Sequence, residues 1–241
     1  MGKVFYIRFR KKADGVFVLF VGILVIATMA CIIFGGRESE SVFAERTPAI
    51  KGVATDENVY AVTVIIDSQN KNDIRLVLEA CDGYGINATC FMDVAWIAAN
   101  KDYASEICEK YIPGMLVSAD FSNTSRADIM SYIAVMNDKY MSLTGTYPKY
   151  VRYDGKNEGQ LSSVLAAYRQ YYISAETVIT DTSVQIRAGG ITEILPEGDE
   201  TVYALAKSVA TAVANSLGSV SLADMLYPPG SEVNANGYQY E

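Results

Sequence analysis

The sequence predicts an α/β domain, a deformed (β/α) barrel, preceded by one transmembrane helix. Its length of 241 residues suits one domain plus an appendage. An uncharged apolar run occupies residues 16–34 and follows a basic N-terminus. From residue 59 onward, short β-branched runs alternate with stretches of helical periodicity, which is typical of strands and helices in alternation.

The N-terminal region carries a charge opposite to that of the rest of the chain. Residues 1–36 hold five basic residues and one acid, a net +4, whereas the remainder holds 15 bases and 27 acids, a net −12. As a helix, Val16–Phe34 would span roughly 28 Å, about the thickness of a bilayer core. Because basic flanks stay cytoplasmic, we expect residues 1–15 to be cytoplasmic and the acidic remainder to be extracytoplasmic, on a single-pass protein of the cell membrane.

A cleaved signal peptide is the alternative to an anchor. The apolar stretch is longer than a usual signal core, and Ala44, the candidate cleavage residue, lies ten positions beyond its end. A lipoprotein attached through Cys31 is a weaker alternative. We favour an uncleaved anchor and leave cleavage after Ala44 open. Residues 35–58 are then predicted to be a linker, and residues 227–241 a flexible tail.

The segment 59–226 predicts regular alternation of strand and helix. Residues 59–66 are almost continuously apolar, as in a strand buried on both faces. Helical spacing follows over 72–84, where Gly83 and Gly85 end it. Further strands are predicted at 86–92, 115–117, 150–152, 172–174, 177–179 and 190–195. Helices are predicted at 125–143, which begins with a capping-box-like Ser125-x-x-Asp128, and at 160–171 and 201–217, while residues 95–111 contain a broken helical stretch. Residues 219–226 close the domain. This alternation predicts a largely parallel sheet covered by helices.

In such folds the functional side chains lie beyond the C-terminal ends of the strands. The residues there are Asp67–Gln69, Asp93, Asp120–Thr124, Tyr153–Asp154, Asp181 and Glu193.

Composition excludes several kinds of site. The chain contains no histidine, so no Ser-His-Asp triad, Cys-His pair or HExxH zinc helix is possible. The acidic domain has no basic stripe, which argues against nucleic acid. Cys81, Cys90 and Cys108 are an odd number without CxxC spacing, so we expect buried thiols, and the sequence leaves their pairing open.

Five segments occur in the order of a known family's landmarks. They are AVTVIID at 61–67, YGINATCFMDVAWIA at 84–98, GMLVSADFSNTS at 114–125, MNDKYMSLTGTYPKYVR at 136–152 and SVSLADML at 219–226. Together they resemble the NodB-homology domain of polysaccharide deacetylases over about 170 residues. The anchored layout with its basic start also resembles sporulation-associated members from Gram-positive bacteria.

The resemblance implies a deformed (β/α) barrel that removes acetyl groups from N-acetylated sugars, with an Asp base and a divalent metal held by one Asp and two His. This machinery does not carry over residue by residue. The family's Asp-Asp pair aligns with Ile65 and Ile66, and its two metal-binding His align with Asp120 and Thr124. Its Arg-Pro-Pro-Tyr-Gly motif aligns with Arg152-Tyr153-Asp154-Gly155. Its late Leu-His segment aligns with Leu195 or Pro196.

The remaining candidates each have a structural alternative. Catalytic candidates are Asp67, Arg152 and Asp154. Asp67 and Asp120 are the candidate ligands of a divalent metal, and Asp93, Asn123 and Tyr153 are candidate ligand-binding residues. Asp67 can equally be a strand-to-loop cap and Asp120 a solvated loop residue. We expect Arg152 to form an internal ion pair with Asp67 or Asp120.

The sequence therefore predicts a membrane-anchored, extracytoplasmic, polysaccharide-deacetylase-like pseudoenzyme that binds cell-wall glycan or an envelope protein and needs no cofactor. One alternative is an active hydrolase of non-peptide C–N bonds that uses a rearranged carboxylate site and a divalent metal. Another is a purely structural membrane component.

Overall fold

The structure is a computed structural model that describes residues 47–67 and 70–241. The predicted transmembrane helix Val16–Phe34, its basic flank and Ala44 lie outside the described residues. Among the helices of the described part, none combines the length and the apolar character that a membrane span requires.

Parallel strands form the main sheet, and all the helices of the described residues except the short last one cover one of its faces. The strands are β2 (Val59–Ile66), β3 (Thr89–Asp93), β4 (Ile112–Val117), β5 (Tyr150–Tyr153), β6 (Tyr171–Ile173), β7 (Thr177–Ile179), β8 (Ile191–Ile194) and β9 (Gly218–Val220). The helices are α1 (Lys71–Gly83), α2 (Val94–Ala99), α3 (Lys101–Lys110), α4 (Arg126–Thr144), α5 (Leu161–Ala167), α6 (Asp199–Ala214) and α7 (Leu222–Met225).

The strand order is β6-β5-β4-β3-β2-β8-β7, and β9 pairs with the first residues of β2 beside β8. Within the described residues, the edge strands β6 and β7 do not pair with each other. The sheet is therefore a parallel half-barrel, more open than the predicted barrel.

Strand β2 lies at the centre of the sheet because both of its faces are apolar. Ala61 and Ile65 belong to an inner cluster with Phe91 and Leu116, whereas Ile66 packs with the side chains under the helices. The alternation of faces along a strand thus sends consecutive residues into two separate cores.

A side-chain cap begins the longest helix, α4, and a glycine ends it. Ser125 accepts a hydrogen bond from the Asp128 amide (3.2 Å) and its hydroxyl contacts the Asp128 carboxylate (2.7 Å), so the predicted cap at the start of α4 is confirmed. Gly145 follows α4 with φ of 78°, a left-handed conformation that a glycine adopts readily.

The end of the predicted linker and the predicted flexible tail are folded together. Strand β1 (Gly52–Val53) pairs in parallel with β10 (Tyr238–Gln239). Ile50 accepts a backbone hydrogen bond from Ser174 beside β6 (2.8 Å), and Lys51 accepts one from Ile191 in β8 (2.8 Å). Residues 47–54 therefore strap the two sides of the half-barrel. This pairing was not predicted because two-residue strands carry no periodicity.

The three cysteines of the described region are free thiols. Cys81 and Cys90 are buried and Cys108 is half-buried. Burial raises the pKa of the Cys81 thiol to about 12 and that of Cys90 well above its usual value. These are packed, protonated side chains.

Candidate functional site

An open cleft lies where strands β2, β3 and β4 end at the mouth of the half-barrel. It has a volume of about 450 Å³ and is lined by Asp67, Asp93, Ala95, Trp96, Ala99, Leu116 and Ser118. Leu116 belongs to the inner cluster, so the part of the cleft near Asp67 lies at the edge of the sheet's inner face. This is the edge at which parallel α/β sheets place their sites.

Asp67 and Asp93 bring two carboxylates to this cleft. Asp67 directly follows β2 and is exposed. Asp93 ends β3 and caps α2, since its Oδ1 accepts hydrogen bonds from the amides of Ala95 (2.7 Å) and Trp96 (3.3 Å). Asp93 thus has a structural task, while its second oxygen can face a ligand.

Apolar side chains occupy the two positions that align with the family's Asp-Asp pair. Ile65 is 4 % exposed and packs inside with Phe91 and Leu116. Ile66 is fully buried on the helix side of the sheet. Neither position can present a polar atom to the cleft.

Arg152 forms an ion pair inside the half-barrel, and its partner is Glu193. Its Nε lies 2.7 Å from Glu193 Oε2, and its Nη2 lies 3.3 Å from Oε1. Its Nη1 donates to the Tyr153 carbonyl oxygen (2.9 Å). The predicted pairing with Asp67 or Asp120 is wrong, because Glu193 on β8 holds the guanidinium from the opposite part of the sheet.

Asp120 lies in a separate loop after β4 and does not line the cleft. Its Oδ1 accepts hydrogen bonds from the Ser122 amide (2.9 Å) and hydroxyl (2.6 Å), and Asn157 Nδ2 lies 3.4 Å away. These donors lower the pKa of Asp120. Asn123 follows with φ of 57°, so the candidates Asp120 and Asn123 form one tight turn.

Tyr153 and Asp154 begin the loop after β5. The Tyr153 hydroxyl lies 2.7 Å from the Ala119 carbonyl oxygen and 2.6 Å from that of Asn157, and its ring stacks on Phe121. Tyr153 therefore ties the loops after β4 and β5 together. Asp154 is exposed, and its amide donates to the Val117 carbonyl oxygen (3.0 Å).

The residues present do not fit the divalent metal that the resemblance implies. Of the three aligned ligand positions, Ile66 is apolar and buried, Asp120 is held in its turn, and Thr124 supplies only a hydroxyl. Within residues 47–67 and 70–241, no three carboxylates or thiols are grouped closely enough to hold a metal ion.

Solved structures with the same fold are carbohydrate esterases of family 4. A family 4 carbohydrate esterase from Bacillus anthracis aligns with a TM-score of 0.62 at 18% identity, over 75% of this chain and 87% of the esterase. A wild-type CE4-family pseudoenzyme from the same organism aligns with a TM-score of 0.63 at 13% identity, over 81% and 73%. A mutant CE4-family pseudoenzyme with restored enzymatic activity aligns with a TM-score of 0.63 at 14% identity, over 75% and 72%.

The class is therefore an α/β half-barrel with the polysaccharide-deacetylase fold. At such identities the match establishes the fold. No family model and no curated protein sequence matches the chain.

For two residues, Ser118 and Glu193, the sequence did not predict the position that the structure shows. Ser118 lines the cleft and was not among the candidates. Glu193 was placed at a strand end, but not opposite Arg152, because three strands separate β5 from β8. Trp96 on α2 also reaches the cleft, although it is only 5 % exposed.

Proposed function

We propose that this chain is a membrane-anchored, extracytoplasmic relative of polysaccharide deacetylases that binds glycan at the half-barrel mouth without cleaving it. The supporting observation is the replacement of the Asp-Asp pair by Ile65 and Ile66, both buried in apolar cores. A base and a metal ligand at these positions would each need a carboxylate that opens to the cleft.

The carboxylates that remain support binding better than turnover. Glu193 is neutralised by Arg152 at 2.7 Å, and Asp93 is engaged in capping α2. Asp67 and Ser118 supply polar groups to a mainly apolar cleft, and the largely buried Trp96 forms part of its wall. Polar groups beside an aromatic ring suit a sugar, which has hydroxyl edges and an apolar face.

Two measurements on the full-length protein test this function. Released acetate is measured after incubation with N-acetylglucosamine oligomers, and the fluorescence of Trp96, the one tryptophan of the chain, follows binding at the cleft. We expect no acetate above the protein-free control, but a saturable fluorescence change that Asp67→Ala weakens and Glu109→Ala, an exposed acid on α3, leaves intact. Acetate release that Asp67→Ala abolishes would overturn the proposal.

A second candidate function is hydrolysis of an N-acetyl C–N bond by a rearranged site. The presence of Asp67 and Asp93 on one cleft favours it, although the sequence-based pair was Asp67 and Asp120. It requires that acetate release depend on both Asp67 and Asp93. If release were equal in wild type, Asp67→Asn and Asp93→Asn, this alternative would be excluded.

A further inference from the structure

A second cavity lies beside the edge strand β6. Its walls come from α5, from β6, from the strap at residues 47–54 and from the C-terminal segment at residues 227–241. Its volume of about 420 Å³ falls within the range of small-molecule sites, about 300–1,000 Å³. It shares no lining residue with the cleft at the mouth, so it is a separate place on the surface of the domain.

Among the described residues that line this cavity, Arg169 alone carries a charge. It lies in the connection between α5 and β6 and is exposed. Within residues 47–67 and 70–241, its guanidinium makes no ion pair and no hydrogen bond. The cavity therefore offers a positive charge and a planar set of N–H donors that the fold itself does not use.

The backbone of Arg169 has a left-handed conformation, with φ of 55°. Its amide donates to the Ala166 carbonyl oxygen (3.0 Å), and the Gln170 amide donates to the Leu165 carbonyl oxygen (3.0 Å), which is the motif that ends a helix with a glycine. The corresponding position after α1 is indeed a glycine, Gly85, with φ of 67°. Because a Cβ disfavours this conformation, arginine at position 169 costs stability that glycine would not, and such strain is typical of functional positions.

Hydroxyl groups and an apolar wall complete the lining. The hydroxyls belong to Thr47, Ser162 and Ser231, and none of them makes a hydrogen bond within the described part of the chain. Each can donate one hydrogen bond to an anion. The apolar part of the wall includes Pro48, Ile50, Pro229 and Val233. A ligand in this cavity therefore meets one cation and several donors beside an apolar surface.

We propose that this cavity binds a monocarboxylate with an apolar body, the chemistry of a fatty acid or of a peptide C-terminus. One guanidinium balances one negative charge and can bond both oxygens of a carboxylate. A phosphate dianion would keep an unbalanced charge, because no second cation is among the described residues that line the cavity. The hydroxyls bond the remaining lone pairs, and the apolar body packs on the prolines. This site goes beyond the proposed function, because it lies apart from the cleft and involves no reaction.

Isothermal titration of the full-length protein tests the site with two carboxylates, hexanoate and N-acetyl-alanyl-alanine, each compared with its own amide. We expect at least one carboxylate to bind and its amide to bind about tenfold more weakly, because the charge-assisted bonds to Arg169 are lost. Tighter binding of hexanoate assigns the site to a fatty acid, and tighter binding of the peptide assigns it to a peptide C-terminus. Binding of neither carboxylate, or equal affinity for a carboxylate and its amide, overturns the proposal.

The variant Arg169→Gly separates binding from stability. We expect it to weaken carboxylate binding about tenfold or more, and to raise the midpoint of thermal unfolding by about 1–3 °C, because glycine relieves the left-handed backbone. Ser216→Gly is the matched control, because Ser216 also has a left-handed backbone (φ 62°), after α6, and does not line the cavity. Its unfolding midpoint should rise in the same way while its carboxylate affinity stays that of wild type. A lower unfolding midpoint in Arg169→Gly, or an unchanged affinity, overturns the proposal.

The outcomes separate this site from the mouth. Trp96 lies at the cleft, so Arg169→Gly should leave its fluorescence change with N-acetylglucosamine oligomers intact. A wild-type protein that binds the carboxylate but shows no Trp96 change supports this site and overturns the proposed function. Carboxylate binding that Asp67→Ala removes and Arg169→Gly retains places the ligand at the mouth and overturns this site. Loss of both signals in Arg169→Gly would show that the two places are not independent, and it also overturns the proposal.

Discussion

Arg152 and Glu193 form a two-point ion pair across the inner face of the half-barrel, with contacts of 2.7 Å and 3.3 Å. The Glu193 side chain is 6 % exposed and the Arg152 side chain 20 %. The pair joins strands β5 and β8, which three other strands separate. It therefore fixes the curvature of the sheet below the mouth.

Removal of one partner should be far more damaging than removal of both. Glu193→Gln leaves a largely buried guanidinium without its counter-charge, so we expect a loss of about 3 kcal/mol in the free energy of unfolding. The double variant that combines Arg152→Met with Glu193→Leu should recover part of that loss, because apolar side chains then fill the space of the pair. Urea denaturation measures both. Glu197→Gln, an exposed acid in the following segment, is the control and should change nothing.

Asp93 combines a cap with a place on the cleft, and two substitutions separate these roles. Asp93→Ala removes the acceptor for the amides of Ala95 and Trp96, so it should cost about 1 kcal/mol of stability. Asp93→Asn keeps an acceptor and removes the charge, so stability should stay near wild type. If both variants unfold at the same denaturant concentration, the carboxylate charge rather than the cap stabilises α2.

The strap at residues 47–54 depends on a close backbone approach at Gly52. A Cβ there would lie 2.4 Å from the Gly189 carbonyl oxygen, which cannot move without disturbing the start of β8. We expect Gly52→Ala to cost about 1–3 kcal/mol in the free energy of unfolding. Gly83→Ala is the matched control, because a Cβ at the end of α1 meets nothing within 4 Å and alanine favours a helix. Equal stability of the two variants would show that the strap contributes little.

The scaffold was predictable because each long element carries its own local signal. Val59–Ile66 has the continuous apolar character of a central strand and Ser125 caps the following α4, and both appear as predicted. Neither depends on a distant residue, so the sequence alone was sufficient.

The site was less predictable because it depends on contacts between distant segments. The partner of Arg152 is Glu193, 41 positions away, and a strand's own pattern does not specify which other strand faces it. The pairing of β1 with β10 and the hydrogen bond between Asn137 and Gln170 were missed for the same reason, because each joins segments that are distant in the sequence. The burial of Ile65 and Ile66, by contrast, could be predicted from the sequence, because side chains alternate along a strand and one of the two enters each core.

The three thiols of the described domain should react in an order set by burial. Burial raises the pKa of Cys81 to about 12, raises that of Cys90 well above its usual value, and raises that of the half-buried Cys108. Only the thiolate reacts, and a raised pKa keeps its population small until the pH approaches the pKa. At pH 8 we expect Cys108 to be labelled first by a disulfide reagent, and Cys81 and Cys90 to be labelled more slowly by about tenfold or more. The measurement uses the Cys31→Ser protein and locates labels by mass spectrometry, with guanidine-unfolded protein as the control that labels all three quickly. Labelling of Cys81 at the unfolded rate would contradict its place in the core.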